Sequence, residues 1–286
     1  MKGGSGLLAI DRVAIGYLAL SGSLALTGGL PGLALASLHG AAILLILRLA
    51  RRPLPSGRVA TFVRLLYPVI ATPLLYHEIS ILNRFIFPDY FDPIVQGWEL
   101  ALFGSQLSQE LAGRLPALWL SEFMTLGYLT YYFLIPLLGI AAWRAGGRAG
   151  FHRFAVSVAL AFVVCYVWFI LFPVMGPRYW YGALEGALSE GTFNRFARDL
   201  LESGSSKGTA FPSSHVAATC AAWVAAARED LRPFFLASVP VATLAIGTVW
   251  GGYHYAVDAS AGILVAAAVL SVAPRVAASA PVPPDL

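Results

Sequence analysis

Eight long apolar stretches constrain the fold of this sequence more than any other feature. A transmembrane helix needs about 20 mostly apolar residues, and only helices and closed barrels satisfy their backbone hydrogen bonds inside a bilayer. The pattern therefore predicts an all-α fold, a polytopic membrane bundle of about eight transmembrane helices. With 58% hydrophobic and 12% charged residues, the chain is not an ordinary soluble enzyme. The stretches cover residues 11–29, 31–49, 59–82, 117–142, 154–174, 212–227, 233–250 and 255–273.

Lysine and arginine residues indicate how the predicted bundle lies in the membrane. Most of the 19 fall on the side that holds both termini. Because cytoplasmic loops carry the excess of positive charge, we expect both termini in the cytoplasm and the protein in the plasma (inner) membrane. The positive residues are scattered between apolar runs, so nucleic acid is not an expected partner. Those on the opposite side are Arg84, Arg114, Arg178, Arg195, Arg198 and Lys207.

Two longer connections, 83–116 and 175–211, then face outward. The first contains an apolar stretch at 94–103, which is too short to span a bilayer and is expected to lie in the interface. It also contains Asp89 and Asp92. A divalent cation could bind this pair, but the favoured interpretation is two solvated surface residues.

The outer end of the stretch at 212–227 carries the first candidate site. Lys207 precedes Pro212, Ser213, Ser214 and His215, which lead directly into the apolar run. Proline suits the first turn of a helix, and free amides with the positive end of the helix dipole favour a bound phosphate. Two interpretations stay open from this segment alone: an anion site, or a serine-capped helix with an interfacial histidine.

A histidine and a carboxylate lie between the last two apolar stretches. His254 and Asp258 are four residues apart, so on a helix they share one face. The carboxylate can then hold one imidazole nitrogen and leave the other available for chemistry. An ionisable pair at the membrane edge is costly, which favours function over packing.

Arg178 lies at the outer end of the stretch at 154–174, and its guanidinium could bind phosphate oxygens in bidentate fashion. The alternative is an interfacial anchor among aromatic residues. The predicted topology places all three motifs on one face, where they can converge. Further candidates for lining the substrate are His77, Glu78, Tyr179 and Tyr253.

These motifs resemble those of the type-2 phosphatidic acid phosphatase superfamily, and most closely its branch of inositol phosphorylceramide synthases. The Pro-Ser-Gly-His motif of that family corresponds to 212–215, with Ser214 in the glycine position. The end of its third motif corresponds to His254 and Asp258. The resemblance implies a six-helix catalytic core at 59–276, preceded by two extra transmembrane helices at 1–58. We expect the remainder, 277–286, to be a disordered tail.

The sequence also departs from the family pattern. Two phosphate-binding cations are missing, because Leu171 stands in the place of a lysine and Thr248 in the place of an arginine. Tyr179 follows Arg178 where the family has proline, and Gly247 replaces a serine. These changes point away from a standard lipid phosphatase, although Lys207 could compensate.

The resemblance implies a role for each candidate residue. His254 would attack phosphorus and form a phosphohistidine, Asp258 would orient its imidazole, and His215 would protonate the leaving alcohol. Phosphoryl oxygens would be held by Arg178, Lys207 and the amides of Ser213 and Ser214. No metal and no cofactor is implied, and the partners are a phosphorylated lipid substrate and membrane lipids.

Three functions follow as alternatives. The first is a lipid phosphatase or phosphotransferase that uses a phosphohistidine at the extracytoplasmic face. The second is a transferase that moves a phospho-headgroup, such as phosphoinositol, to a lipid hydroxyl. The third belongs to another class, a transporter of anionic lipids, for which Arg64 and Glu122 inside predicted spans are the evidence. The sequence gives no indication of oligomeric state.

Overall fold

The structure is a computed structural model, and it describes residues 6–55, 57–182, 186–280 and 282. These residues form an all-helical fold with no β-strand among them. The helices are α1 (Ala9–Ala25), α2 (Gly29–Ala50), α3 (Arg58–Ile70), α4 (Thr72–Ile86), α5 (Asp92–Phe103), α6 (Leu107–Arg114), α7 (Leu118–Leu129), α8 (Tyr131–Leu171), α9 (Pro177–Trp180), α10 (Thr192–Gly204), α11 (Ser214–Ala227), α12 (Arg232–Trp250) and α13 (Ala256–Ser279). Short 3₁₀ turns lie at Leu26–Gly28 and Gly186–Ser189.

Apolar helices make this an integral membrane protein. Five helical segments in the described part of the chain are long and apolar enough to cross a bilayer. The number of spans predicted from sequence, about eight, therefore stays a prediction. One reason for the difference is that α11 has only 14 residues. The five segments are Ala9–Ala50, Arg58–Ile86, Tyr131–Leu171, Arg232–Trp250 and Ala256–Ser279.

Two of these segments fold back on themselves at a glycine. In α8, Gly147 has a φ of 59°, which a residue with a side chain rarely adopts. Gly139 and Phe154 would be about 22 Å apart on a straight helix, yet a Cβ on Gly139 would lie 3.1 Å from the Phe154 ring. The other segment turns at Gly29, where φ is 64°. Each of these two segments is thus a hairpin whose halves pack together.

Helix α11 lies at the centre of the bundle, against α8, α12 and α13. Its alanines are buried. Their small side chains let neighbouring helix backbones approach closely, and this packing stabilises helix association in a membrane, where the hydrophobic effect does not. The first turn of α11 is thereby fixed at one end of the bundle, and this turn carries His215. The buried alanines are Ala217, Ala218, Ala221, Ala222, Ala225 and Ala226.

The first residues of the predicted tail, 277–279, are helical. Helix α13 continues to Ser279, and the Ala280 carbonyl accepts a hydrogen bond from the Ala9 amide at 3.3 Å. The alanine-rich end continues the helix because Ala277 and Ala280 are buried in the core that includes α1. Residues 281 and 283–286 of the predicted tail lie outside the described residues.

The two charged residues that favoured a transporter both have local partners. Arg64 of α3 donates to both carboxylate oxygens of Asp11 in α1, at 2.8 and 2.7 Å. Glu122 of α7 accepts the amides of Phe193 and Asn194 in the first turn of α10, at 3.1 and 3.0 Å. The Arg64–Asp11 pair therefore joins α3 to α1, and Glu122 caps the start of α10.

Candidate active site

The turn between α12 and α13 fixes the position of His254. The amides of Tyr253 and His254 both donate to the Thr248 carbonyl at 3.0 Å, which folds the chain back over the end of α12. Asp258, in the first turn of α13, accepts the Tyr255 amide at 2.8 Å. The same carboxylate oxygen lies 3.4 Å from Nδ1 of His254. Nδ1 therefore faces the carboxylate, and Nε2 faces away from it.

His215 lies in the first turn of α11, beside the turn that holds His254. Ser213 caps the helix, since its hydroxyl accepts the Val216 amide at 3.4 Å. The Ser213 amide donates to the Asp258 carbonyl at 2.9 Å, which joins the start of α11 to the start of α13. The imidazole rings of His215 and His254 consequently have centroids 5.7 Å apart.

Aromatic residues of α7 and α8 surround the His215 ring. The Tyr131 ring centroid lies 4.4 Å from that of His215, and the Tyr128 centroid lies 5.5 Å away. Nδ1 of His215 is buried and has no hydrogen-bond partner among the described residues. The sequence gives no signal for Tyr131, because spacing alone does not distinguish a packing residue from one that faces the ring of a candidate catalytic histidine.

A short loop before α9 positions Arg178. Gly176 has a φ of 89°, and its left-handed backbone turns the chain into the helix. The amides of Met175 and Gly176 donate to the Asp92 carboxylate at 2.8 and 2.9 Å. Nη1 of Arg178 is buried without a hydrogen-bond partner in the described part of the chain. A buried guanidinium nitrogen of this kind is suited to an anion.

Two acidic residues of α5 form the framework that the sequence did not reveal. Asp92 is fully buried and also accepts the Tyr255 hydroxyl at 3.0 Å, so the interpretation as a solvated surface pair is wrong for Asp92. Glu99, also fully buried, accepts the Val257 amide at 3.2 Å and the Ser108 amide at 3.3 Å. Burial raises the pKa of Glu99, and these backbone hydrogen bonds oppose that shift. Together the two carboxylates hold the Arg178 loop and the start of α13.

Both histidines and Arg178 face a cavity of about 40 Å³. Burial lowers the pKa of His254 to about 4, and a hydrogen bond to the Ala210 carbonyl partly opposes this shift. The imidazole is therefore neutral at pH 7. Burial raises the pKa of Tyr253 to about 12, opposed by the nearby charge of Arg178. Other residues that line the cavity are Tyr76, Met175, Tyr179, Ser205, Thr209 and Tyr253.

Two further cavities follow the histidine cavity, one after the other. The nearer one has a volume of about 130 Å³ and shares His215 and Tyr76 with the histidine cavity. The next, of about 260 Å³, is mostly apolar and shares Thr72, Tyr131 and Tyr132 with the nearer one. Its apolar walls come from α3 and from both halves of α8.

The remaining predicted site residues have different positions. Lys207 is exposed, with Nζ 5.7 Å from the centroid of the Tyr179 ring. Ser214 lines the adjoining cavity, whereas the Ser213 hydroxyl serves as a helix cap.

His77 and Glu78 do not line the histidine cavity. His77 is exposed. Glu78 lies on another face of α4, where its carboxylate pairs with His39 of α2 at 3.0 Å. The structure therefore brings His215, His254, Asp258, Arg178, Tyr179 and Tyr253 together and separates them from His77 and Glu78.

Comparison with known proteins gives one match. The family described as the PAP2 superfamily matches residues 105–272. This range includes Arg178, His215, His254 and Asp258, as well as Glu99's partner Val257. No curated protein and no solved structure matches the chain.

Proposed function

Because the chain belongs to the PAP2 superfamily, for which a phosphatase-type activity on lipids is expected, we propose that it cleaves a phosphoester of a phosphorylated lipid through a phosphohistidine intermediate. The observation that carries this proposal is the pair of imidazole rings, 5.7 Å apart, which face one cavity together with Arg178. A nucleophile, a proton donor and a cation for the phosphoryl oxygens are thus in one place.

In the first step, His254 is the nucleophile. Its neutral Nε2 forms a bond to phosphorus as the bond from phosphorus to the lipid oxygen breaks. His215 takes up a proton when the phosphate anion binds beside it, because the negative charge favours the imidazolium. It gives that proton to the leaving oxygen as the lipid alcohol departs. Asp258 holds Nδ1 and stabilises the positive charge that develops on the ring. Arg178 binds the equatorial phosphoryl oxygens, where negative charge increases.

In the second step, a water molecule attacks the phosphohistidine. His215, now neutral, accepts the proton from the water, and the bond between phosphorus and Nε2 breaks. Phosphate leaves and both histidines return to their starting forms. The residues described here perform both steps, and no metal or cofactor is required by the proposal.

The adjoining cavities support a lipid as the substrate. A hydrocarbon chain attached to the scissile phosphate can pass from the histidine cavity into the apolar one between α3 and α8. A soluble phosphate ester has no group that would use this surface.

A transferase reaction is the second candidate. The nearer adjoining cavity brings Thr72, Tyr131 and Tyr132 close to His215, and it could accept a lipid alcohol in the place of water. His215 would then take the proton of that alcohol. The synthase-like branch of the superfamily, with phosphoinositol as the transferred group, belongs to this proposal.

Purified protein in detergent tests both reactions. We would incubate it with a panel of lipid phosphates and phosphatidylinositol, with and without diacylglycerol or a ceramide-like acceptor, and measure free phosphate and new lipid by mass spectrometry. His254→Ala and His215→Ala should each abolish both products. The control is Tyr181→Phe, at an exposed residue directly after α9, which should leave both products unchanged. A folded His254→Ala variant that keeps wild-type turnover would contradict the mechanism.

The proposed orientation places the active site outside the cytoplasm and both termini inside. With Cys165 and Cys220 replaced by alanine, Lys207→Cys should react with a membrane-impermeant maleimide on intact cells. Arg232→Cys, at the exposed start of α12, should react only after the cells are permeabilised. The reverse pattern would overturn this orientation.

A further inference from the structure

The larger of the two cavities beyond the histidine cavity is an apolar groove between α3 and the two halves of α8, here called the chain groove. Its volume is about 260 Å³. Phe62, Leu66 and Val69 of α3 line it at spacings of four and three residues, so one face of that helix forms a wall. Helix α3 lies outside residues 105–272, and the family match therefore does not account for this wall.

The two halves of α8 give the chain groove the same length. The lining extends from Tyr131 to Gly139 in the first half and from Phe162 to Phe154 in the second. Each range advances by eight residues, which is about 12 Å along a helix. Half the hydrocarbon thickness of a bilayer is about 15 Å. The groove runs parallel to the helices, so a lipid chain can enter it and keep the direction that it has in the bilayer.

A cluster of aromatic rings, here called the aromatic floor, forms the end of the groove that is distant from the histidines. The Phe62 ring stacks on that of Phe151, with centroids 4.4 Å apart, and Phe151 stacks on Phe154 at 6.0 Å. Behind them, the Trp143 ring packs edge-on against Phe62 and Phe151, with centroids 5.7 and 5.3 Å away. Phe151 and Phe154 are fully buried, so the floor is held in place by close packing.

The other end of the groove leads to the candidate active site. Tyr131 lines the groove, and its ring centroid is 4.4 Å from that of His215. The cavity of about 130 Å³ lies between the groove and the histidine cavity. A polar linkage between a phosphate and a hydrocarbon chain finds hydrogen-bonding groups there. The residues with hydroxyl groups that line it are Thr72, Tyr76, Tyr131, Tyr132, Ser205 and Ser214.

We propose that the chain groove selects the substrate by the length of one hydrocarbon chain, and that the aromatic floor sets the preferred length. This proposal rests on the proposed cleavage of a lipid phosphate and adds the part of the lipid that is recognised. An extended chain advances about 1.2 Å per bond, as an extended peptide backbone does. The groove therefore holds about ten carbon atoms above the floor.

Selection depends on fit, because the chain comes from the bilayer and leaves no water behind. A chain that ends above the floor leaves a void, whose lining loses van der Waals contacts. A longer chain meets the floor and has to bend out of the groove. We expect kcat/KM to be greatest near ten carbon atoms, and about threefold to tenfold lower for chains that are four carbon atoms shorter or longer.

A series of monoacylglycerol phosphates with saturated chains of increasing length tests the proposal on the complete protein. The measurement is kcat/KM at a fixed mole fraction of substrate in mixed micelles. Phe62→Ala removes one ring from the floor, a layer of 4.4 Å, so the preferred chain should become longer by about three to four carbon atoms. Leu66→Phe places a ring one turn closer to the histidines and should make the preferred chain shorter.

The matched control is Val63→Ala, at a residue of α3 that is 47% exposed, and it should not change the preferred length. Comparing each variant with wild type at the same chain length removes the effect of chain length on the partition of substrate into micelles. Equal kcat/KM for all lengths, or a preference that both Phe62→Ala and Leu66→Phe leave unchanged, would overturn the chain groove. The proposed phosphatase activity would then stand.

Binding separates the two proposals in the other direction. Native mass spectrometry of the His254→Ala variant, alone and combined with Phe62→Ala or Leu66→Phe, measures the retention of the same lipids without turnover. A preferred length that shifts in opposite directions in the two combined variants would support the chain groove. If the wild-type protein then cleaved none of these lipids, the phosphohistidine proposal would fail and the groove would remain. Retention that is independent of chain length would overturn the groove.

Discussion

The end of the bundle that carries His215 and His254, called the histidine end, differs from the N-terminal region in how it uses buried carboxylates. At the histidine end, Asp92 and Glu99 accept hydrogen bonds from backbone amides, which helix ends and loops leave available. In the N-terminal region each carboxylate binds a basic side chain: Asp11 binds Arg64 in addition to the Leu8 amide, and Glu78 binds His39. Amides inside a helix are already hydrogen-bonded, so a buried carboxylate there needs side-chain partners.

This difference determines where an anion can bind. Because amides satisfy the carboxylates near the active site, no carboxylate among the described residues forms a salt bridge with Arg178. Its charge is available for phosphate. In the N-terminal region, Asp11 already neutralises Arg64. Acidic residues around the active site are therefore compatible with an anionic substrate, since they position the cation without cancelling it.

The largest expected effect concerns Asp258, the carboxylate beside His254. Asp258→Asn keeps the shape of the side chain but removes the charge that orients the His254 ring. We expect turnover to fall by roughly 10³- to 10⁴-fold, as for other carboxylates that orient a catalytic histidine. Release of phosphate from the preferred lipid measures this, with thermal unfolding as the control for folding. Turnover within tenfold of wild type would show that the 3.4 Å contact is not used.

The next effect is on stability and separates the two regions. Arg64→Met leaves the fully buried Asp11 carboxylate without its cation, which should cost about 3–5 kcal/mol. Adding Asp11→Leu should recover much of this loss. Unfolding in mixed micelles measures the free energy, and KM for the lipid phosphate should stay unchanged in folded protein. A raised KM in the double variant would mean that the N-terminal region contributes to substrate binding.

A smaller effect is expected for Asp92, which holds the Arg178 loop. Asp92→Ala leaves two buried amides without an acceptor, at a cost of about 1–3 kcal/mol each. Because Arg178 then loses its position, we expect KM to rise more than kcat falls. The matched control is Asp89→Ala at an exposed neighbour, which should change neither. Lower stability with an unchanged KM would limit Asp92 to a structural role.

The sequence predicted the helical class and the convergence of the motifs because both follow from short patterns. Apolar runs identify membrane helices. The spacing of four residues predicted the contact of His254 with Asp258, although His254 lies in the turn before α13 rather than on the helix. The sequence also separated the two halves of α8, because the predicted stretches end at 142 and begin again at 154, on either side of Gly147. It did not predict that α11 has only 14 residues, fewer than a span normally needs.

The framework residues were missed for a related reason. Asp92 precedes Pro93 at the start of α5, which is a signal for a helix start. It gives no indication that the carboxylate reaches a loop more than 80 residues later. Glu78 is the reverse case, a predicted residue that the structure places elsewhere. It is adjacent in sequence to His77 and Tyr76 but lies on another face of α4, away from the histidine cavity. Helix faces are assigned by packing partners, which a single sequence does not contain.

The smallest expected effect is on pH dependence, and it compares His254 with an ordinary histidine. Its pKa of about 4 lies below the usual 6.5 because the ring is buried. Between these values the unfolded chain binds a proton that the folded protein does not, so stability at this residue falls as pH decreases from 6.5 to 4. Activity should depend on the neutral ring, and the acid limb of kcat/KM assigned to His254 should therefore lie near pH 4 to 5. The measurement is kcat/KM between pH 4 and 8, with the ionisation of the lipid phosphate titrated separately. An acid limb near pH 6.5 that the substrate does not explain would mean that water or Asp258 compensates for burial of the ring, and that the histidine end is more hydrated than the N-terminal region.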